Sequence, residues 1–224
     1  MIRLTRVTQR YGSQVPLDDV TFEVNEGDFC VVRGESGAGK TSLLRLLTME
    51  ALPAAGQVQV GSFVSGRLGR GQRAELRRTL GVVFEDFKLL DDRNLYENIA
   101  LVLRIQGEWD RAILERRVDE ALAQVGLPGR AHAFPRELSA GQKQRAGVAR
   151  AIVNRPLLVL ADEPTGNLDP AAGDGILDLL FDIHKAGTTI LLATNNQALA
   201  ERLRARGARL VEIREGALLE GAKA

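Results

Sequence analysis

The 224-residue sequence predicts an α/β fold that carries an inserted helical subdomain. Three observations lead there. Short apolar runs alternate with segments of helical spacing at both ends of the chain, as in "FCVVRG" ahead of "KTSLLRLLTME" and "LLVLAD" ahead of a helix from about Pro170 to Lys185. These runs are continuous and rich in Val, Leu and Ile, as strands buried on both faces of a parallel sheet are. The middle of the chain is helical by period and has few strand signals.

Taken in order, "IRLTRV" and "VTFEV" alternate apolar and polar residues and read as half-buried strands. "FCVVRG" is a buried strand leading into a glycine-rich turn, and "KTSLLRLLTME" is the helix after it. "GQVQV" is a short strand. "ELRRTLG" is a short helix ahead of the strand "VVF". The arginine-rich stretch Arg67 to Arg78 reads as a solvated loop and helix face, with a partner or lipid surface as the alternative. "NLYENIALVLRIQG", "WDRAILERRVDEALAQVGL" and "SAGQKQRAGVARAIVNRP" are three helices, the last stopping before Pro156. Then βα alternation returns. "LLVLAD" precedes a helix from about Pro170 to Lys185, "TTILLAT" precedes a helix near Ala198 to Arg206, and "ARLVEIREGALLEG" closes as a hairpin. The domain assignment is one domain, with residues 1–85 and 156–224 forming an α/β core and 86–155 a helical subdomain.

Composition narrows the function classes. A net charge of +1 gives no bulk electrostatic case for a nucleic-acid partner. Cys30 is the single cysteine, and its apolar neighbours mark a buried structural thiol in a reducing cytosol. The N-terminus lacks the apolar region of a signal peptide, and no run approaches the ~20 apolar residues of a membrane span. The expectation is a cytoplasmic protein whose membrane role requires another polypeptide.

Four stretches carry chemistry. "GESGAGKT" fits G-x-x-x-x-G-K-[ST] between strand and helix. Gly34, Glu35, Ser36, Gly37, Ala38, Gly39, Lys40, Thr41 and Ser42 then line a phosphate, with loop N–H groups and a helix N-terminus facing the anion. Lys40 reaches the β- and γ-phosphates, and Thr41 binds Mg²⁺. In "LLVLADE", Asp162 ends a buried strand where a bare carboxylate is costly without a partner such as a metal. Asp162 is expected to hold Mg²⁺ through water, and Glu163 to polarise an attacking water. In "LSAGQ", Ser139 stands near a helix N-cap. It is either a cap alone or an anion site closing over a neighbour's nucleotide. Finally, "TTILLATNNQ" ends a strand on Asn195 and Asn196. Such amides either aim at a ligand or form a turn.

These motifs, in this order and followed by "TGNLD", resemble the ATP-binding subunits of ABC transporter systems over essentially the whole chain. The resemblance implies a P-loop NTPase (RecA-like) ABC nucleotide-binding domain with an antiparallel β subdomain and the inserted helical subdomain. It implies ATP and Mg²⁺ as cofactors and an ATP-dependent homodimer with two nucleotides between its subunits. Leu138, Ser139, Ala140, Gly141 and Gln142 would form the signature that meets the partner's γ-phosphate, and Asp169 would line the dimer seam. Tyr11 would stack on adenine, with a core or surface tyrosine as the alternative. Asn195 would be the γ-phosphate switch, so it joins Glu163 and Lys40 as catalytic. Glu85 would join Thr41 and Asp162 at the metal.

"GVVFEDFKLLDDRNLYENIALVL" and the stretch from "FPRELSAGQ" to "ADEPTGNLDP" resemble the bacterial cell-division branch of the family. That implies an FtsX-type integral membrane subunit, control of cell-wall hydrolases, a place on the inner face of the membrane, and division-ring proteins as further partners. Lipoprotein-releasing and macrolide-export ATPases share "ADEPTGNLD", so an exporter's energy subunit stays open, as does a nucleotide-gated scaffold. Three positions depart from the family pattern. Ala140 replaces a signature glycine, Glu85 a glutamine and Asn195 a histidine. His132 and His184 both fall away from the switch position. The departures predict ATP binding with slow turnover.

Overall fold

In the computed structural model, which describes residues 1–220, alternation and apolar runs set the first elements. Strands β1 (Ile2–Tyr11) and β2 (Gln14–Val24) pair antiparallel, burying Ile2, Leu4, Val20, Phe22 and Val24 on one face. Both run longer than the sequence suggests. Irregular register interrupts the alternation where Arg6 and Asp19 take left-handed φ values of 47° and 48°. Strand β3 (Phe29–Arg33) follows, then helix α1 (Lys40–Leu47), whose Leu43, Leu46 and Leu47 are fully buried. Strand β4 (Ala55–Val60) adds to β1, and the two-residue β5 (Phe63–Val64) adds to β4. The Ser65 hydroxyl then accepts from Val58 N at 3.1 Å. Gly56 is required where it stands, because a Cβ there would lie 2.0 Å from the Arg6 carbonyl oxygen.

A 3₁₀ turn over Ser65–Arg67 leads to helix α2 (Arg70–Thr79), which is longer than "ELRRTLG" implies. Gln72 accounts for the extra turn, since its Oε1 accepts from Gly69 N at 3.1 Å. Leu76 anchors this otherwise polar helix.

Next come β6 (Leu80–Val83), α3 (Leu95–Ile105), α4 (Arg111–Gln124), α5 (Ala140–Ile152), β7 (Leu158–Asp162) and α6 (Pro170–Lys185). Then β8 (Thr189–Thr194), α7 (Gln197–Ala205), β9 (Arg209–Arg214) and β10 (Ala217–Glu220) complete the described chain. Gly221 of the expected hairpin lies outside the described residues.

The described residues form two compact units: Met1–Arg77 with those from Gly187 onward, and Arg78–Ala186. The first holds an antiparallel sheet in the order β2-β1-β4-β5 and a second set of strands in the order β10-β9-β3-β8, with β3 parallel to β8 and β9. Its core includes Cys30, Val31, Val32, Ile190, Leu191, Leu192 and Val211. The second unit holds the parallel pair β6 and β7 with four helices. Its core includes Val83, Leu95, Ile99, Leu103, Val118, Leu122, Val148 and Leu160. Between residues 86 and 155 every regular element is helical. No helix among the described residues is long and apolar enough to cross a membrane.

Candidate functional site

In the first unit the sheet ends in a loop shaped for an anion. β3 and β8 run parallel with Arg33 opposite Thr194, so their carboxyl ends lie side by side. Gly34 N donates to the Thr194 carbonyl at 3.1 Å, which ties the start of the loop to the end of β8. Gly37 and Gly39 take φ values of 83° and 112°, and Gly39 is the left-handed N-cap of α1. A Cβ on Gly39 would stand 2.5 Å from the Pro16 carbonyl oxygen, so glycine alone fits. The first N–H groups of a helix have no intrahelical partner, so a loop of this kind presents donors and a positive dipole end to a phosphate. Lys40 is buried and folds over the loop, its Nζ donating to Gly34 O at 2.8 Å and Glu35 O at 3.1 Å. Glu35, Ser36, Gly37 and Thr41 are exposed, while Ala38 and Ser42 are half-buried. Tyr11, at the end of β1, is 40% exposed.

The two amides after β8 divide their work. Asn196 caps α7, its Oδ1 accepting from Leu199 N at 3.0 Å, while its own N–H donates to Thr194 Oγ1 at 3.1 Å. Asn195 lies exposed between the strand end and that cap.

The second unit carries the acids and the signature. β7 ends at Asp162, and Glu163 follows with φ 43°, a left-handed value that costs a non-glycine residue on the order of 1–3 kcal/mol. Gly166 N donates to Glu163 O at 3.0 Å and closes the turn. Glu85 is exposed and lies against Gly166, where an added Cβ would meet its Oε1 at 2.9 Å. The Glu85 carbonyl accepts from Asn167 Nδ2 at 3.1 Å.

Ser139 is the N-cap of α5 in a reciprocal box. Its Oγ accepts from Gln142 N at 3.3 Å, and its N–H donates to Gln142 Oε1 at 3.1 Å. Leu138 is buried, Ser139 and Ala140 are exposed, and Gly141 packs close to α6, where an added Cβ would lie 3.0 Å from Ala172 Cβ. Ala140 is absent from the left-handed residues, so its methyl group strains no backbone. Asp169 is the N-cap of α6, accepting from Ala172 N at 3.0 Å, with Pro170 in the first helical position.

Polar residues that the sequence did not single out hold this unit's loops. Gln144, 1% exposed, donates through Nε2 to Phe84 O at 3.1 Å and to Pro164 O at 2.7 Å. Arg150 donates to Phe87 O at 2.8 Å and also to Lys88 O. Those two residues take φ values of 62° and 50°. Burial pushes the Arg150 guanidinium below its ordinary range, and Asp86 opposes the shift. Asn98 receives Leu90 N at 2.7 Å and donates to the carbonyls of Leu90, Arg93 and Asn94. Nothing in the spacing of these residues announces which carbonyls they reach.

Among the described residues no group of three or more His, Cys, Asp and Glu side chains could hold a metal ion. The donors expected at the metal are the Thr41 hydroxyl and the Asp162 and Glu85 carboxylates. Such hard oxygen donors suit Mg²⁺, which keeps waters and takes phosphate oxygens from a nucleotide rather than needing an all-protein cage.

A glycine-rich loop entering a helix, a strand-end acid pair and a capped signature helix define a P-loop ATPase with an inserted helical segment. The chain belongs to the ABC transporter family, whose model matches residues 17–166, and it is an ABC-type ATPase. It is 42% identical to the cell division ATP-binding protein FtsE of Mycobacterium tuberculosis, over 98% of this chain and 94% of that one. The FtsE of Escherichia coli is 41% identical over 99% and 98%. The methionine import ATP-binding protein MetN of Geobacillus kaustophilus is 42% identical over 91% of this chain but 60% of its own. Among solved structures, the post-hydrolysis dimer of the ATP-binding cassette MJ0796 bound to ADP and Pi matches with a TM-score of 0.85 and 29% identity, covering 97% of this chain and 96% of that one.

Proposed function

We propose that the chain is the ATP-binding subunit of a cell-division complex, binding and slowly hydrolysing ATP to send a conformational signal through an FtsX-type membrane subunit to cell-wall hydrolases. The near-complete match with cell division ATP-binding proteins of two distant bacteria carries the proposal. The protein is cytoplasmic and peripheral on the inner face of the membrane through that partner, and division-ring proteins are further partners.

Tyr11 stacks on adenine, and residues Gly34 to Ser42 cradle the phosphates with Lys40 on the β- and γ-oxygens. Thr41, Asp162 and Glu85 hold Mg²⁺, which when bound neutralises charge on the phosphates. Glu163 takes the proton of the attacking water. Asn195 donates its amide N–H to the γ-phosphate, but it cannot become cationic and is shorter than a histidine. Glu85 adds negative charge near the γ-phosphate, which opposes ATP binding unless the metal or a proton screens it. Two subunits pair with ATP. Leu138 to Gln142 of each then meet the other's nucleotide, with Asp169 along the seam.

The partner docks in the groove around Glu85 to Leu103, in the second unit. Most of "IALVL" is core, with Ile99, Ala100 and Leu103 fully buried. Leu101 is the exposed residue of that run, and Leu90 is exposed earlier in the same stretch. That exposed edge suits an apolar partner segment.

Steady-state hydrolysis, alone and with the membrane subunit, tests the proposal against a Glu163→Gln background. Turnover above background that rises with the partner supports it. Glu85 and Asn195 favour a second reading, a nucleotide-gated scaffold. Turnover equal to background with ATP still bound would establish that one instead.

A further inference from the structure

We propose that Gln144 is a positioning residue for hydrolysis, fixing the backbone beside both Glu85 and Glu163 to the signature helix. The inference rests on the assignment of Glu163 as base and of Ser139 as the group that meets the partner's nucleotide. Its geometry lies within one unit. One amide nitrogen donates to Phe84 O at 3.1 Å and to Pro164 O at 2.7 Å. Phe84 immediately precedes Glu85, and Pro164 immediately follows Glu163. The side chain is 1% exposed, so water does not compete for these bonds.

The segments it joins need holding. Glu163 sits at φ 43°, and such a conformation persists when its surroundings over-determine it. The 84–88 segment passes through two further left-handed residues, Phe87 and Lys88, whose carbonyls Arg150 secures from the same helix. Gln144 also carries a cost. Its Oε1 is buried with no hydrogen-bond partner among the described residues. An apolar residue of similar size would avoid that cost but would leave the Phe84 and Pro164 carbonyls without this donor. Its two donated bonds fix where those carbonyls stand, while its own oxygen goes unpaired.

Ser139 opens the same helix five residues earlier, about 7.5 Å along its axis. A shift of that end on a neighbour's phosphate thus reaches the backbone of both acids through one rigid turn and a half. Gln144 links the acids that serve a subunit's own nucleotide to the group that serves its partner's.

The test uses the full chain with ATP and Mg²⁺. Gln144→Leu removes both donors. The expected result is a kcat lower by about tenfold to a hundredfold, since a misplacement of about 1 Å has effects of that order. Nucleotide affinity should stay close to wild type, while the two carbonyls left without a donor lower the melting temperature. Unchanged kcat overturns the proposal, and so does a loss of nucleotide affinity in step with kcat, which marks a packing role.

Gln144→Glu is the second variant and does not depend on the first one folding. Burial against two carbonyl oxygens disfavours its carboxylate and raises its pKa, and only the acid form donates. Its kcat relative to wild type should therefore climb as pH falls. A flat ratio overturns the proposal. Wild-type turnover no greater than that of Glu163→Gln would remove the base assignment and the proposal together. Wild-type turnover above it, with Gln144 variants matching wild type, removes the proposal alone.

Discussion

Asn195 and Asn196 are the same residue type in adjacent positions with different tasks. Asn196 completes the first turn of α7, whereas Asn195 stands exposed at the end of β8, where the switch is proposed. Loss of a positioned donor costs about a hundred- to a thousandfold in rate, and an amide is only a partial loss. Asn195→His is therefore expected to raise kcat by less than that factor. Equal turnover in the two proteins would show that the amide is no handicap. Gly39 makes the complementary case. Its φ of 112° and the 2.5 Å approach to Pro16 O leave no room for a methyl group. Gly39→Ala should abolish nucleotide binding in a titration and lower stability by roughly 1–3 kcal/mol in thermal denaturation. Gly37→Ala, also at positive φ but with open space around it, should bind nucleotide better than Gly39→Ala.

Helix α5 combines a structural start with a proposed chemical one. Ser139 caps the helix through its Oγ, and losing such a cap costs about 1 kcal/mol. Ser139→Ala should lower the melting temperature accordingly. Ser139→Asp keeps a capping oxygen but loses the hydroxyl proton and adds a negative charge. If it restores the melting temperature and still fails to form the ATP-dependent dimer, the serine serves the partner's nucleotide as well as the helix. Recovery of both would reduce Ser139 to a cap. Further along, Gln144 and Arg150 bind the backbone of residues 84–88 from one helix. Secondary structure places these side chains, but the loops folded against the helix determine what they hold.

For the molecule as a whole, the proposed ATP-dependent pairing can be read directly in solution. Glu163→Gln incubated with ATP and Mg²⁺ should elute as a dimer in size exclusion and return to monomer when ATP is removed. Persistence as a monomer would count against the signature assignment. Leu101→Glu should weaken stimulation of hydrolysis by the membrane subunit while leaving the isolated subunit's turnover intact, because Leu101 is 39% exposed on α3 within the proposed docking stretch. Full stimulation would move the docking surface elsewhere. Much of this was legible in the amino-acid order. Apolar runs marked β3, β7 and β8, period marked the helices, and the phosphate loop, acid pair and signature named the chemistry, because each rests on contacts between near neighbours. The first turn of α2, the short β5, the split between Asn195 and Asn196, and the carbonyls held by Gln144 and Arg150 were not. Gln144 reaches residues sixty positions before it and twenty after it. A polar side chain's partner across such separations is chosen when the core closes and its backbone acceptors lose water. Local pattern alone therefore determined the family and its motifs, and tertiary packing decided which residues hold them in place.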